Sequence, residues 1–333
     1  MRTIRIPHGH PGSRILGIGA FRPERVVPNS DIADLIDSSD EWIRERSGII
    51  ERRYADTDQS VVDMAVEAAG KALANSGVSA ESVDIVLVAT ITHPYQVPSA
   101  AAIVADRLGM KYPGAMDLGA ACAGFCYGLA TADSMIRSGT ANHVLVVGAE
   151  KLTDITDPTD RGTAFIFADG AGAVVVGPSD TPGIGPVVWG SDGSQHEVIT
   201  MTQSWVQYGL DPADKPPAMS MQGQVVYRWA IGNMADVCRR ALDAAGITVD
   251  DLDAFVPHQA NMRITDALVR ALKLPSTVAV ARDIATSGNT SAASIPLALD
   301  QLIGSGSVAS GGLALMVGFG AGLTYAAQVV TLP

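Results

Sequence analysis

Hydrophobic positions along the chain alternate between helical spacing and strand spacing. Residues 71–90 (KALANSGVSAESVDIVLVAT) give a helical pattern, a glycine, an acidic turn and then an apolar strand. Residues 240–259 (RALDAAGITVDDLDAFVPHQ) repeat the same succession. Each glycine stands where a helix commonly ends in a left-handed residue. Helices that alternate with apolar strands predict an α/β protein with parallel or mixed sheets covered by helices.

These two segments belong to a longer internal repeat. Identical residues at an offset of 169 are Ala72 and Ala241, Leu73 and Leu242, Gly77 and Gly246, and Asp84 and Asp253. MIRSG (135–139) then matches LIGSG (302–306), HVLVVG matches LALMVG, and GAG at 170–172 recurs at 320–322. The repeat predicts two halves, 1–178 and 179–333, with a seam near 178–186, packed around a pseudo-twofold axis. We expect an active site at their junction.

Composition and charge exclude several classes of protein. The 333 residues carry a net charge of −12 with a sequence pI near 4.8, which argues against a nucleic-acid binder. Three cysteines are too few for a disulfide framework and favour a reducing cytoplasm, and no zinc-type Cys/His spacing is present. The N-terminus has no apolar run of signal-peptide length. The uncharged stretch 312–333 is glycine-rich, and we interpret it as two buried strands rather than a membrane span.

Cys122 is the leading candidate nucleophile. It follows an apolar strand that ends near Leu118 and precedes a helix-compatible run, so it lies at a strand-to-helix elbow. Backbone N–H groups and the helix dipole at such an elbow stabilise a thiolate. The alternative is a small buried hydrophobe, which is the better interpretation of Cys126.

Two further polar residues complete the candidate site. The offset of 167 places Asn289 opposite Cys122, where its amide could donate a hydrogen bond toward a thioester on the sulfur. Its alternative role is to cap a helix that begins at Thr290. His258 ends the strand whose counterpart ends at Ala89, a position where α/β folds build sites, and His93 is its only rival.

Six motifs together resemble the thiolase-like condensing enzymes, and among them β-ketoacyl-acyl carrier protein synthase III. They are SSDEWIRERSGI (38–49), AACAGF (120–125), DRGTAFIFADGAGAVV (160–175), PHQAN (257–261), GNTSAAS (288–294) and GFGAG (318–322). The resemblance covers nearly the whole chain. It implies a thiolase-like α/β fold in five layers, α-β-α-β-α, built from two duplicated halves.

The resemblance also implies a mechanism. Cys122, His258 and Asn289 would form a Cys-His-Asn triad, and the asparagine is typical of chain-initiating enzymes, because thiolases carry a cysteine and elongating synthases a histidine in that role. The thiolate would take an acyl group from acyl-coenzyme A and then transfer it to malonyl-acyl carrier protein with loss of carbon dioxide. No metal or other cofactor is implied. The oxyanion hole would be the backbone N–H groups of Cys122 and Ala321, where the family often has glycine.

Family positions for substrate contacts carry over as well. Coenzyme A would be bound by Trp42, Arg46, Arg161 and Arg263. Arg263 lies on the helix after His258. Together with Arg270 and Lys273 it would form a basic patch for an acidic carrier protein.

Val97 stands where acetyl-specific members carry phenylalanine in the acyl pocket, reached across a homodimer. A smaller residue at that position predicts a broader choice of primer rather than a strict switch.

Three other functions stay open at this point. The same chemistry could prime an aromatic polyketide instead of a fatty acid. Relatives of the family transfer acyl groups to an oxygen or nitrogen acceptor without decarboxylation. A noncatalytic interaction protein that kept the fold is the third alternative, and the intact set of Cys122, His258 and Asn289 argues against it.

Overall fold

The computed structural model describes residues 4, 7–211 and 215–333. Its α-helices are α1 Ser30–Ala33, α2 Asp40–Ser47, α3 Val61–Ser76, α4 Ala100–Arg107, α5 Gly124–Arg137, α6 Trp205–Leu210, α7 Gly223–Ala245, α8 Met262–Leu272, α9 Ile284–Ser287 and α10 Ser294–Gly304. Its strands are β1 Gly12–Phe21, β2 Arg25–Pro28, β3 Glu51–Tyr54, β4 Ile85–Ala89, β5 Gly114–Leu118, β6 Val144–Lys151, β7 Asp169–Ser179, β8 Val188–Gly190, β9 Ile199–Met201, β10 Met219–Met221, β11 Ala254–Pro257, β12 Ala279–Val280, β13 Leu313–Gly320 and β14 Thr324–Thr331.

Two five-stranded sheets share one strand order. The first runs β5-β4-β6-β7-β1 and the second runs β12-β11-β13-β14-β8. In each sheet the first three strands pair in parallel, the fourth strand runs antiparallel to them, and the fifth pairs antiparallel to the fourth. The strands of the first sheet all come from β1–β7, and those of the second sheet all come from β8–β14. The duplicated α/β fold is therefore confirmed, whereas the boundary at residue 178 stays a prediction.

Three hydrophobic cores separate the layers. The central core packs α5 and α10 between the inner faces of the two sheets, where residues such as Phe125, Val146, Leu299 and Met316 are fully buried. A second core packs α3 and α4 on the outer face of the first sheet, and a third packs α7 and α8 on the outer face of the second. This is the predicted α-β-α-β-α arrangement. None of the helices in the described ranges is long and apolar enough to cross a membrane.

The local sequence features behave as predicted. Helices α3 and α7 end at Gly77 and Gly246, whose φ angles of 70° and 71° lie in the left-handed region that glycine adopts freely. The uncharged C-terminal stretch forms β13 and β14, which pair as antiparallel buried strands.

The GAG alignment was wrong. Gly172 of β7 pairs with Gly148, whereas the residue that pairs with Gly318 in the second sheet is Ala326. The segment 320–322 therefore lies in the turn before β14 and is not equivalent to 170–172. Two identical short motifs matched because both sit near the start of a strand, without sharing a register.

Two glycines that are equivalent in the repeat lie in close contact with the other half. A Cβ on Gly148 would lie 2.2 Å from the carbonyl oxygen of Ala292, and one on Gly318 would lie 2.9 Å from the Cα of Ala123. Each glycine is at the inner face of one sheet and contacts the elbow of the other half. Absence of a side chain at these positions lets the two elbows meet at the junction.

Candidate active site

Cys122 lies at the strand-to-helix elbow that the sequence predicts. Strand β5 ends at Leu118, a 3₁₀ turn covers Ala121–Ala123, and α5 begins at Gly124. Ala121 has a φ of 44°, in the left-handed region that costs a non-glycine residue about 1–3 kcal/mol. Strain of this size is commonly retained where it aims a functional side chain, and here it turns the chain just before the cysteine.

The positional match between Cys122 and Asn289 was wrong by three residues. The equivalent turn in the second half is Ser291–Ala293, and Ser291 has the same left-handed φ, 49°. The counterpart of Cys122 is therefore Ala292, and the counterpart of Asn289 is Gly119. The physical reason is that α5 has 14 residues and α10 only 11, so an offset read from beyond the helices does not hold before them.

The two elbows nevertheless bring the predicted residues together. Cys122, His258 and Asn289 line one cavity of about 580 Å³ at the junction of the halves. His258 and Asn289 are buried, and Cys122 is half-buried where it borders the cavity. Apolar side chains make up much of the remaining wall, including Leu152, Phe165, Ile199, Met219, Val226 and Phe319.

His258 is held in a defined orientation. It directly follows β11, its backbone N–H donates to the carbonyl of Val317 at 2.8 Å, and its ring packs edge-on against Phe319. Its Nδ1 lies 2.7 Å from Oγ of Ser294, which also accepts the N–H of Gln259 at 3.3 Å. When that hydroxyl donates its hydrogen to Nδ1, the proton of the neutral ring is on Nε2.

Asn289 lines the cavity and also supports the turn that follows it, which begins at Ser291 rather than at Thr290. Its Oδ1 accepts the backbone N–H of Ser291 at 2.9 Å and so caps the turn that leads into α10. Its backbone pairs with the chain at Ile166 and Ala168, which ties the elbow to the loop before β7. With Oδ1 engaged, the amide Nδ2 is the group left for the cavity.

Burial dominates the electrostatics of the site. It raises the pKa of the Cys122 thiol from 9 to about 12, an effect that the nearby Glu150 carboxyl strengthens. It lowers the pKa of His258 from 6.5 to about 3, so the ring is uncharged near neutral pH. The resting site therefore holds a thiol and a neutral imidazole. A thiolate must be stabilised as it forms.

The predicted oxyanion groups border the sulfur. A Cβ on Gly320 would lie 2.9 Å from Sγ of Cys122 and 3.2 Å from its backbone nitrogen. The backbone of 320–321 therefore passes directly beside the cysteine, and Ala321 lines the cavity. This places the N–H groups of residues 122 and 321 on neighbouring segments next to the nucleophile.

The four residues predicted to bind coenzyme A all line the same cavity. The guanidinium carbons of Arg46 and Arg161 lie 5.6 and 4.9 Å from the ring centre of Trp42, and Arg263 lies 5.1 Å over Tyr227. These three arginines are exposed, whereas the triad is recessed. The exposed part of the cavity wall thus carries positive charge in a protein of net negative charge.

The other predicted residues lie outside this cavity. Val97 is 82% exposed on the loop after β4, and Arg270 and Lys273 are exposed at the far end of α8. His93 also lies outside the cavity, with its Nε2 3.2 Å from the carbonyl of Pro98. Cys126 is fully buried in the central core.

Sequence reasoning missed a set of polar residues next to the triad. Ser294 orients His258, and Glu150 is fully buried beside Cys122 among Thr90, Thr92 and Ser291. The available signal was a single acidic residue that ends the otherwise apolar run VLVVGAE.

Comparisons with known proteins agree with this geometry. Residues 116–193 match the family profile for 3-oxoacyl-[acyl-carrier-protein (ACP)] synthase III, and residues 242–332 match that for its C-terminal region. The chain is 54% identical to a β-ketoacyl-[acyl-carrier-protein] synthase III of Streptomyces glaucescens, with all of both chains covered. It is 51% identical to the mycobacterial β-ketoacyl-[acyl-carrier-protein] synthase III of Mycobacterium tuberculosis, covering 100% of this chain and 99% of the relative.

Solved structures extend the comparison to the fold. The priming β-ketosynthase of the R1128 polyketide pathway superimposes with a TM-score of 0.97 at 49% identity, covering 100% of this chain and 99% of that one. The 3-oxoacyl-[acyl-carrier-protein] synthase III of Aquifex aeolicus gives 0.88 at 40% identity, with 96% and 100% covered. Sequence, fold and site geometry agree, and the chain belongs to the 3-oxoacyl-[acyl-carrier-protein] synthase III family of condensing enzymes.

Proposed function

We propose that this protein starts acyl chains by decarboxylative Claisen condensation. An acyl group passes from acyl-coenzyme A to Cys122 and then to malonyl-acyl carrier protein, giving β-ketoacyl-acyl carrier protein. The observation that carries the proposal is that Cys122, His258 and Asn289 line one cavity whose exposed wall carries several arginines. Family membership supplies the reaction class.

The first step is acylation of the cysteine. The Cys122 sulfur attacks the thioester carbonyl carbon, and the coenzyme A thiolate leaves. The developing oxyanion is stabilised by the backbone N–H groups of residues 122 and 321, and the N-terminus of α5 adds its dipole. Gly320 permits this arrangement, because a side chain there would occupy the space of the sulfur.

The second step forms the carbon–carbon bond. The malonyl thioester loses its carboxylate as carbon dioxide, and the electron pair left on the α-carbon delocalises onto the thioester oxygen as an enolate. His258 Nε2–H and the Asn289 amide donate hydrogen bonds to that oxygen as its charge grows. The α-carbon then attacks the acyl carbonyl, the C–S bond to Cys122 breaks, and the departing thiolate takes up one proton from solvent to restore the resting thiol. Decarboxylation generates the carbanion, so these steps need neither metal nor redox chemistry.

Charged residues around the opening suit both substrates. Trp42 offers an aromatic face for the adenine of coenzyme A, and Arg46, Arg161 and Arg263 offer guanidinium groups for its phosphates. Arg263 also begins the exposed row that continues to Arg270 and Lys273 on α8. An acidic carrier protein docked on that row would deliver its malonyl arm to the same opening.

Primer choice involves a second copy of the chain. Val97 is exposed in its own subunit, so it can border an acyl pocket only if the loop after β4 enters a partner. We therefore propose a homodimer in which Val97 of each subunit closes the acyl pocket of the other. A valine there leaves room for propionyl, isobutyryl or longer primers.

A priming role in polyketide synthesis is the second candidate. It is favoured by the match to the R1128 priming ketosynthase over the whole chain. Both candidates use the same chemistry and differ in primer and carrier protein. Residence in a reducing cytoplasm, inferred from the cysteine count, suits either pathway.

Mass spectrometry of the acyl-enzyme tests the proposal. Incubation with acetyl-, propionyl-, isobutyryl- and longer acyl-coenzyme A should add the acyl mass to the peptide that contains Cys122. Cys122→Ala should abolish the adduct, whereas the matched control Cys126→Ala should keep it. An unmodified Cys122 peptide with every primer would refute the proposed nucleophile.

Carbon dioxide release then separates condensation from simple acyl transfer. The acylated enzyme should release carbon dioxide from malonyl-acyl carrier protein in proportion to product. Acyl transfer without carbon dioxide would instead support the transferase alternative.

A further inference from the structure

Glu150 is a buried carboxyl beside the nucleophile that the two proposed steps do not use. It is the seventh residue of β6 and has no solvent-exposed surface. Its Oε2 accepts hydrogen bonds from Thr92 Oγ1 at 2.8 Å, Ile91 N at 3.1 Å and Thr90 Oγ1 at 3.2 Å. Its Oε1 has no hydrogen-bond partner among the described residues. One oxygen is thus held firmly while the other is left open.

Ser291 lines the same cavity as Cys122, and its hydroxyl is near both the thiol and the Glu150 carboxyl. It interacts with both groups, since it lowers the pKa of each. Its Oγ is buried and, in the resting arrangement, forms no hydrogen bond of ordinary geometry within the described chain. Buried polar atoms without partners are rare, and two of them, Ser291 Oγ and Glu150 Oε1, belong to residues that act on the Cys122 thiol. A small rotation of the hydroxyl would let it accept from one neighbour and donate to the other.

The charge balance of the site explains why a link between the two groups matters. Burial raises the pKa of Glu150 from 4.5 to about 7, and burial followed by the charge of Glu150 raises that of Cys122. A thiolate beside an ionised Glu150 would put two negative charges in one buried site, which is strongly disfavoured. If the proton moves from the thiol to the carboxylate, the site carries one negative charge before and after.

We infer that Ser291 relays the proton of Cys122 to Glu150 during acylation, a step that rests on the proposed function. As the S–H bond breaks and sulfur attacks the thioester carbonyl, Ser291 Oγ accepts the proton and gives its own to Glu150 Oε1. When the tetrahedral intermediate collapses, the C–S bond to coenzyme A breaks. The departing thiolate then takes the proton back along the same path. Ser291 is the catalytic residue, and Glu150 acts only through it.

Other ionisable groups around Glu150 are engaged elsewhere. Lys151 and Asp169 lie on the opposite face of the sheet, the former donating to carbonyls at 56 and 57 and the latter accepting from Ala55 and Thr153. Strand β4 has no ionisable residue, and the two elbow turns contribute Cys122 alone. The acids of the helices on this face are ion-paired, Asp133 with Arg137 in α5 and Asp300 of α10 with Arg22. His258, across the cavity, stays neutral.

Acylation kinetics in the full-length protein test the relay. The rate of coenzyme A release in the first turnover, measured from pH 5.5 to 9, should rise with pH through about 7 in the wild type. Glu150→Gln keeps an oxygen acceptor for the three donors but cannot take a proton. We expect about a 100-fold slower acylation, loss of the rise near pH 7, and an unchanged KM for acyl-coenzyme A.

Two further variants separate a relay from a structural role. Ser291→Ala should reproduce the effect of Glu150→Gln, and the double variant should be no slower than either, because both break one path. Alanine fits at 291 because its counterpart Ala121 has nearly the same φ. Thr92→Val keeps the carboxyl but removes a donor that lowers its pKa, so it should move the pH midpoint upward while acylation stays fast above it.

The outcomes are distinguishable. Wild-type acylation rates in Glu150→Gln and Ser291→Ala would overturn the relay, and so would equal rate losses in all three variants with an unmoved pH midpoint. If Glu150→Gln does not fold, Ser291→Ala and Thr92→Val still decide the matter. Absence of an acyl adduct on Cys122 in the wild type would refute the proposed function instead.

Discussion

Replacing Gly148 by alanine should damage both the stability and the chemistry of the protein. The new Cβ would lie 2.2 Å from the carbonyl oxygen of Ala292 and 2.8 Å from its carbonyl carbon. These are backbone atoms of the turn after Asn289, so no side-chain rotation can relieve the contact. Ordinary contact begins near 3.4 Å, so the turn must move by about 1 Å.

The magnitude follows from that displacement. Overpacking a core costs about 1–3 kcal/mol, and the need to shift backbone places Gly148→Ala near the upper value. The displaced turn carries Ser291 and follows Asn289, and a misplacement of about 1 Å at a reacting site lowers rates about 100-fold. Gly318→Ala meets Ala123 Cα at 2.9 Å, a smaller overlap, and should be less damaging.

A matched control comes from α7. Gly232 is exposed inside that helix, and a Cβ there would meet nothing within 4 Å. Gly232→Ala should therefore raise the free energy of unfolding by about 0.5–1 kcal/mol through helix propensity. Gly148→Ala should have the lowest free energy of unfolding in urea and the slowest acylation of Cys122, and Gly318→Ala should have the next lowest values. The close-approach reasoning fails if Gly148→Ala unfolds and acylates like the wild type, or if Gly318→Ala is the worse of the two.

Three further predictions concern the site. Burial holds the pKa of His258 near 3 in the folded protein, whereas the ring titrates near 6.5 in the unfolded chain. The free energy of unfolding therefore decreases by about 1.4 kcal/mol for each unit that the pH drops below about 6.5. Urea unfolding at pH 7 and pH 5 should show His258→Gln losing about 2 kcal/mol less than the wild type over this interval, and equal losses would exclude the ring as the cause. Trp42→Ala should raise the KM for acyl-coenzyme A about tenfold with kcat retained, and a fall in kcat at unchanged KM would contradict a binding role. Val97→Phe should shift the kcat/KM ratio toward acetyl- over isobutyryl-coenzyme A by about tenfold, and an unchanged ratio would remove residue 97 from the acyl pocket.

Hydrophobic periodicity predicts the fold well because each element of the repeat has its own local sequence pattern. Helix, glycine cap and apolar strand recur in both halves, and the glycines at 77 and 246 adopt the conformation that a cap requires. Register across insertions is harder. The alignment of the two elbows failed because α10 is three residues shorter than α5. The stretch from the end of α10 to Gly318 is longer by the same number, so Gly318 is again equivalent to Gly148. The length of a helix depends on its packing in the fold, and matching two sequence segments gives no information about that packing.

The proposed proton path could not be predicted from the sequence, for a different reason. Glu150, Thr92 and Ser291 come from three separate segments, and only the folded sheets place them around one sulfur. Spacing in sequence carries no information about such a cluster. A lone acid at the end of a buried strand was the single indication, and its side chain could equally have faced the outer layer.

Divergence between the two copies accounts for the asymmetry of the site. In the first half, Gly124 begins α5 directly against Ala89, the residue that ends β4, and a Cβ on the glycine would lie 2.8 Å from that of the alanine. At the equivalent point of the second half, Ser294 begins α10 and hydrogen-bonds the ring of His258. A packing contact in the first half thus corresponds to a serine–histidine hydrogen bond in the second. The elbow beside it has Asn289 where the first half has Gly119, and Ala292 where the first half has Cys122. Each half therefore provides what the other lacks, and the chemistry exists only where the two elbows meet.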